Sequence, residues 1–77
     1  MVGPKSGIYR HYKGNLYEVL GIALHSETRE EVVVYRALHK SEEFGKNTLW
    51  VRPKKMFMEK VIINGKEVPR FISLREK

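Results

Sequence analysis

Three histidines, nine glutamates and six serine or threonine hydroxyls are the groups in this 77-residue chain that could do chemistry. There is no Cys, no Asp and no Gln. Asp-based triads, EF-hand loops and thiolate metal clusters are therefore excluded. His11, His25 and His39 invite a metal reading, because zinc takes three or four N, S or O ligands converging on one point. A strand pair turning near residue 28 would set Tyr17 opposite His39. It would hold His25 and His39 tens of ångströms apart, at about 3.3 Å per residue. Only His11 with His39 stays open, and neither a metal nor another cofactor is expected. For nucleophiles the chain offers Ser6, Ser26, Ser41, Ser73, Thr28 and Thr48, none in a G-x-S-x-G or S-x-x-K context. His25-Ser26-Glu27 are neighbours on the chain, so their side chains diverge. His11 with Glu18 could pair as base and orienter across a first hairpin. With no nucleophile to serve, a non-catalytic protein is the expectation.

Binding chemistry has more to work with. Trp50 and Arg52 alternate along one run, so on a strand they would share a face as a stacking and phosphate-gripping pair. The competing and favoured expectation is that Trp50 plugs a core with its N–H bonded to backbone. Tyr9, His11, Tyr17, His25 and Tyr35 are all odd-numbered. They would share one face if the first turn has three residues, whereas a two-residue turn would flip strand one. Such a face is either an aromatic platform able to stack bases or the interior of a barrel. Tyr17 and Tyr35 are expected in the core, with Tyr9, His11 and Tyr12 open to either role. The net charge of +6 is uneven. Residues 1–25 carry three bases against one acid, 26–51 four against five, and 52–77 eight against three. Lys54, Lys55 and Arg70, with Lys60 and Arg75, could thus form a basic rim beside Trp50 and Arg52. Such an asymmetry suits nucleic acid or an acidic partner.

These side chains need strands to position them. Residues 8–12 and 16–25 read as strands around a Gly14-Asn15 turn. The second run alternates with a period of two, and Gly21 in it suggests a bend or bulge. Three adjacent β-branched residues, Val32-Val33-Val34, make 32–38 a strand rather than a helix. Residues 39–47 form a charged loop and 48–52 a fourth strand. Pro53 opens a helical turn over 54–59, with Met56 and Phe57 pointing inward. Asn64-Gly65 between 61–63 and 66–68 is a type I′ hairpin signal, Pro69 ends it, and 71–74 adds a last short strand. The expectation is an all-β fold. It is a single small SH3-like barrel of five or six short antiparallel strands with one helical turn, preceded by loose residues 1–6 and followed by a charged tail, 75–77. An OB-fold is the alternative, for which the chain is short. Without disulfides, a chain of this size would close a barrel to protect its strand edges.

The ordered blocks Gly7-x-Tyr9-Arg10-His11-Tyr12-Lys13-Gly14-Asn15-x-Tyr17-Glu18-Val19, Ala23-x-His25-Ser26-Glu27-Thr28, Val33-Val34-Tyr35, Leu49-Trp50-Val51-Arg52-Pro53 with Met56-Phe57, and Gly65-Lys66-x-Val68-Pro69-Arg70-Phe71 cover residues 7–71. On these blocks the sequence resembles domain-of-unknown-function family 1653, a set of short bacterial proteins. The resemblance implies an independent small β domain in a bacterial cytosol. It supplies no activity, substrate or catalytic residue. The loop at 39–47 departs from the family pattern in length and charge.

The resulting expectation is a non-catalytic binding module for nucleic acid or an RNA–protein assembly, using Tyr9, His11, Tyr17, Trp50, Arg52, Lys54, Lys55 and Arg70. One alternative is an adaptor taking a peptide from a cytosolic protein in an aromatic groove. Another is a small ligand-binding or enzymatic domain built on His11 and Glu18. No run reaches the ~18 apolar residues of a membrane span. The first six residues lack the apolar stretch of a signal peptide. A cytoplasmic protein without membrane contact is expected.

Overall fold

The computed structural model describes residues 3–40 and 42–76. Along the chain run β1 (Gly7–His11), β2 (Leu16–Leu24), β3 (Glu31–Ala37), β4 (Leu49–Pro53), α1 (Lys54–Phe57), β5 (Lys60–Ile63), β6 (Lys66–Pro69) and β7 (Phe71–Glu76). The fold is all-β, as the period-2 patterns imply. Every strand pairing is antiparallel. Five strands form one sheet in the order β4-β3-β2-β1-β7, and β5 with β6 forms a separate hairpin.

The sheet curls but stays half-open, because no ladder joins β4 to β7 among the described residues. Side chains bridge the gap instead. The Arg52 guanidinium on β4 lies 5.6 Å from the Phe71 ring centroid on β7, and Phe57 of α1 stacks on Phe71 at 4.1 Å. An aromatic plug therefore does the work that strand closure does in a complete barrel. No helix of the described residues is long and apolar enough to cross a membrane.

Two local features set which residues face inward. The first turn closes with the His11 N–H donating to Asn15 O at 2.8 Å and the Gly14 N–H donating to His11 O at 2.7 Å. Residues 12–14 thus make a three-residue loop, with Gly14 at φ 109°, a value open to glycine and strained for other residues. Tyr9 falls opposite Tyr17, so the odd residues of β1 and early β2 share the inner face. The register then shifts between Val19 and Gly21. This bulge, at the glycine where one was expected, hands the inner face to even residues, and Ile22 pairs with the buried Val33. His25 consequently leaves the Tyr17 face and sits in the next turn.

The core consists of Tyr9, Val19, Val33, Tyr35, Phe57 and Phe71, with Tyr17 packed against it. Phe57 is buried as expected, whereas Met56 is exposed and does not point inward. Asn64 and Gly65 carry the positive φ of 50° and 79° that the type I′ turn requires. β7 runs to Glu76 and pairs with Gly7, so the expected tail at 75–76 is strand. Lys5 and Ser6 are tied to the sheet through Tyr9 Oη donating to Lys5 O at 2.9 Å and Ser6 Oγ donating to Leu20 O at 3.2 Å.

Candidate binding cleft

Phe57 stacks on Phe71, and a mouth opens where Arg52 lies over the Phe71 ring. Strand register builds the mouth. Tyr17 pairs with Ala37, Tyr35 with Trp50, and Val33 with Arg52, and directly opposed residues share a face. Tyr17, Tyr35, Trp50 and Arg52 line a pocket of about 180 Å³. Trp50 is 38% exposed and meets Phe44 of the 39–47 loop edge-on at 5.2 Å. It is a wall of the mouth, not the core plug that was favoured from sequence.

Arg52 is the informative residue. Its Nε donates to Tyr35 Oη at 3.3 Å, and its guanidinium lies over Phe71. Two other arginines that are not exposed have carboxylate partners: Arg36 pairs with Glu18 and Arg70 with Glu59. Arg52 has none among the described residues. Tyr35 and Phe71 replace only part of the hydration that this half-buried cation loses. Among the described residues its Nη groups meet no carboxylate, which leaves them to an acceptor from outside.

The surrounding groups are also donors. Burial, and then the neighbouring Tyr35, hold the Tyr17 phenol above its usual pKa, against weaker downward pulls from an Asn15 side-chain hydrogen bond and Arg52. Tyr17 therefore keeps its proton at neutral pH. A protonated phenol can both donate and accept. Tyr35 accepts from Arg52 and keeps its own O–H to give.

His11 flanks the same mouth, with its ring 6.3 Å from Tyr17 and 4.9 Å from Phe71. Burial first, then Arg52, Arg70 and Lys13, hold its imidazole below the usual value. The Lys13 backbone N–H donates to His11 Nδ1 at 3.2 Å. The neutral ring therefore carries its proton on Nε2.

The structure thus brings together His11, Tyr17, Trp50, Arg52 and Arg70 among the sequence candidates. Three others lie elsewhere. Tyr9 is 7% exposed and belongs to the core. Lys54 Nζ bonds Glu31 Oε2 at 2.9 Å, at the end of β3 away from the mouth. Lys55 is exposed on α1. Lys60 and Lys66 stand on the separate hairpin, so the basic third does not gather into one rim. His11 and Glu18 do not meet. Glu18 pairs with Ile8 in register, faces the opposite side of the sheet and binds Arg36. His39 sits 5.5 Å from Tyr17, and no group of three metal-ligating residues occurs among the described residues. Phe71 is not singled out by the sequence, and Tyr35 is named there only for the aromatic face, with the core as its expected place. Their roles come from contacts of β3 and β7 with Arg52 on β4 that no local pattern announces.

The sequence model for DUF1653, proteins of unknown function, matches residues 7–73. The chain belongs to the DUF1653 family. A crystal structure of a DUF1653 protein from Bordetella bronchiseptica is 34% identical and similar in fold, with a TM-score of 0.84. The match covers 96% of this chain and 91% of that one. No curated protein matches the chain. The DUF1653 name carries no ligand, so the chemistry of the cleft rests on its own residues.

Proposed function

We propose that this DUF1653 protein is a non-catalytic binding module for single-stranded nucleic acid, with the mouth between Trp50 and Arg52 as its contact. The observation that carries this reading is Arg52, half-buried, fixed by Tyr35 and Phe71, and without a carboxylate partner among the described residues. An indole next to a fixed guanidinium suits a base beside its phosphate. Stacking of a base on an aromatic ring is worth about 1–3 kcal/mol. Arg70 and Lys13 extend the positive field felt at His11. The reading is non-catalytic because His11 and Glu18, the acid–base pair the sequence offered, lie on opposite faces of the sheet.

Trp50 is the single tryptophan, so its fluorescence reports on the mouth directly. Titration with mixed-sequence single-stranded oligonucleotides at about 50 mM salt should change that emission. Two or three phosphate contacts should make log K fall by about 1.4–2.1 per tenfold rise in salt, at ~0.7 per contact. No emission change and no binding at about 50 mM salt would overturn the reading. A second reading, a peptide adaptor, is favoured by a pocket of about 220 Å³ behind the Phe57–Phe71 stack, lined by Pro4, Tyr9, Phe57, Met58, Pro69, Phe71 and Ser73. Capture of one protein in a nuclease-insensitive manner, abolished by Met58→Glu, would support it.

A further inference from the structure

We infer that the free edge of β4 pairs with the same edge of a second copy of the chain, giving an antiparallel dimer in which the two Trp50 residues stand opposite each other. The inference is independent of what the mouth binds.

The hydrogen-bond pattern of the β3–β4 ladder locates the edge. The Ala37 N–H donates to Thr48 O at 3.0 Å, so these two residues form a hydrogen-bonded pair. Such pairs alternate along an antiparallel ladder. Trp50 and Arg52, opposite Tyr35 and Val33, therefore turn their backbone groups toward β3. Leu49 and Val51 turn theirs outward. No strand meets that side of β4 among the described residues, and the Leu49 and Val51 side chains are each 61% exposed. Edge strands are ordinarily protected by charge, proline or a bulge. β7, the other edge of the sheet, has such devices: a register shift against β1 between Ile8 and Tyr9, and Arg75 and Glu76 at its end. β4 pairs with β3 without a shift and carries no charge from Leu49 to Val51.

This edge complements itself. Across a two-fold axis at Trp50, Leu49 of each copy faces Val51 of the other, and each such pair exchanges two hydrogen bonds. All the outward N–H and C=O groups of Leu49 and Val51 are then used. An axis at Val51 would set Leu49 against Pro53, which has no N–H to give. An axis at Leu49 would set Val51 against Asn47, whose φ of 57° takes it out of the strand. In the Trp50 register the Leu49 and Val51 side chains cover one another on the outer face. Charge agrees with the same arrangement. The loop before β4 carries Glu42 and Glu43 against Lys46, whereas β4 is followed by Lys54 and Lys55. Antiparallel pairing lays the acidic end of each copy beside the basic end of the other.

Sedimentation equilibrium tests the dimer. Between about 1 and 500 μM, the mass should rise from the 9.1 kDa of one chain to twice that and stop, with a dissociation constant in the micromolar range. Val51→Pro should stay folded, because the lost N–H points away from β3. Leu49→Lys should stay folded because the side chain is exposed. Both variants should remain monomeric. The chain has no Cys, so Trp50→Cys adds a single thiol. Opposed residues that exchange no hydrogen bonds have Cα atoms about 4.5 Å apart, within disulfide reach. Mild oxidation should therefore link Trp50→Cys as a covalent dimer. Val51→Cys, offset from its own copy by two residues, should not link. A wild-type protein still monomeric at about 500 μM would overturn the dimer. So would a mass that climbs past two chains, which would mean that β4 takes a different edge of the next copy. Dimers that survive both Val51→Pro and Leu49→Lys would lie on another surface and overturn it too. Val51→Cys linking as readily as Trp50→Cys would overturn the register.

Discussion

Arg52 Nε donates to Tyr35 Oη across the β3–β4 ladder at 3.3 Å, although the two residues are not direct partners in register. Tyr35 pairs with Trp50, and Arg52 with Val33. The bond is diagonal, and it ties the guanidinium to the buried end of the mouth. One hydroxyl thereby fixes the cation, and Phe71 supplies the surface on which it lies. The indole at position 50 and the guanidinium at position 52 are held as two walls of one cleft.

Replacing Arg52 should separate charge from shape. Arg52→Ala should abolish oligonucleotide binding measured by Trp50 emission. Arg52→Lys should keep part of the salt-dependent affinity, since an ammonium preserves the charge but not the planar fork. Tyr35→Phe should weaken binding several-fold with the charge intact, because the guanidinium loses its anchor. Thermal midpoints of Arg52→Lys within a few degrees of wild type would assign these losses to the cleft rather than to unfolding.

Acid should destabilise the fold through His11. Burial, then Arg52, Arg70 and Lys13, hold the folded imidazole below its ordinary value, which for an unfolded chain is about 6.5. Between those two values the unfolded chain binds more protons than the folded one, so stability rises with pH across that window. It is at full strength above the unfolded value and falls as pH drops toward the folded one. His11→Asn keeps an acceptor for the Lys13 N–H and removes the titration. Urea midpoints at about pH 7.5 and 5 should differ less for His11→Asn than for wild type. An unchanged difference would show that His11 does not carry the effect.

Much of this fold is legible in the residues themselves, and for physical reasons. Val32-Val33-Val34 announces a strand because β-branched side chains are stiff in a helix. Asn64-Gly65 announces its turn because both positions need positive φ. Gly21 marks the register shift. The first turn is less legible, since two- and three-residue loops both suit residues 12–15, and that choice decides which face Tyr9 and His11 occupy. The mouth is the least legible part. Trp50 reads as a core residue by type, and only the open gap between β4 and β7 leaves it exposed. Lys54 and Lys55 follow Arg52 after only Pro53, but α1 starts at Lys54 and turns them off the strand's face.

Behind the sheet, Glu18 is a carboxylate with its side chain 6% exposed, paired with Arg36 at 38%. Burying the acid is costly unless its arginine stays, whereas an apolar pair of similar volume loses little. Arg36→Ala should therefore destabilise by about 1–3 kcal/mol, reduced from a fully buried pair because the arginine is partly in water. The double change Glu18→Leu with Arg36→Leu should recover most of that loss. Chemical denaturation of the single and double variants measures the difference. A double variant as unstable as Arg36→Ala would mean that the charged pair itself holds this face together.

Phe57 should matter twice, first to the fold and then to the cleft, which it does not line. Its ring stacks on Phe71 at 4.1 Å and meets Tyr9 and Tyr35 edge-on at 5.8 and 5.6 Å. Truncating a buried Phe to Ala costs about 3–5 kcal/mol, and a chain this small has about 3–5 kcal/mol to lose. Phe57→Ala should therefore be largely unfolded by near-ultraviolet circular dichroism. Phe57→Leu keeps most of the volume and should stay folded, with a loss on the order of 1 kcal/mol. In that variant Phe71 loses the flat partner that keeps its other face toward Arg52. The guanidinium then rests on a ring free to tilt, and oligonucleotide affinity should fall severalfold with no change in the salt slope, because the charges are all retained. An unaltered affinity in folded Phe57→Leu would show that Tyr35 alone is enough to hold Arg52 in place.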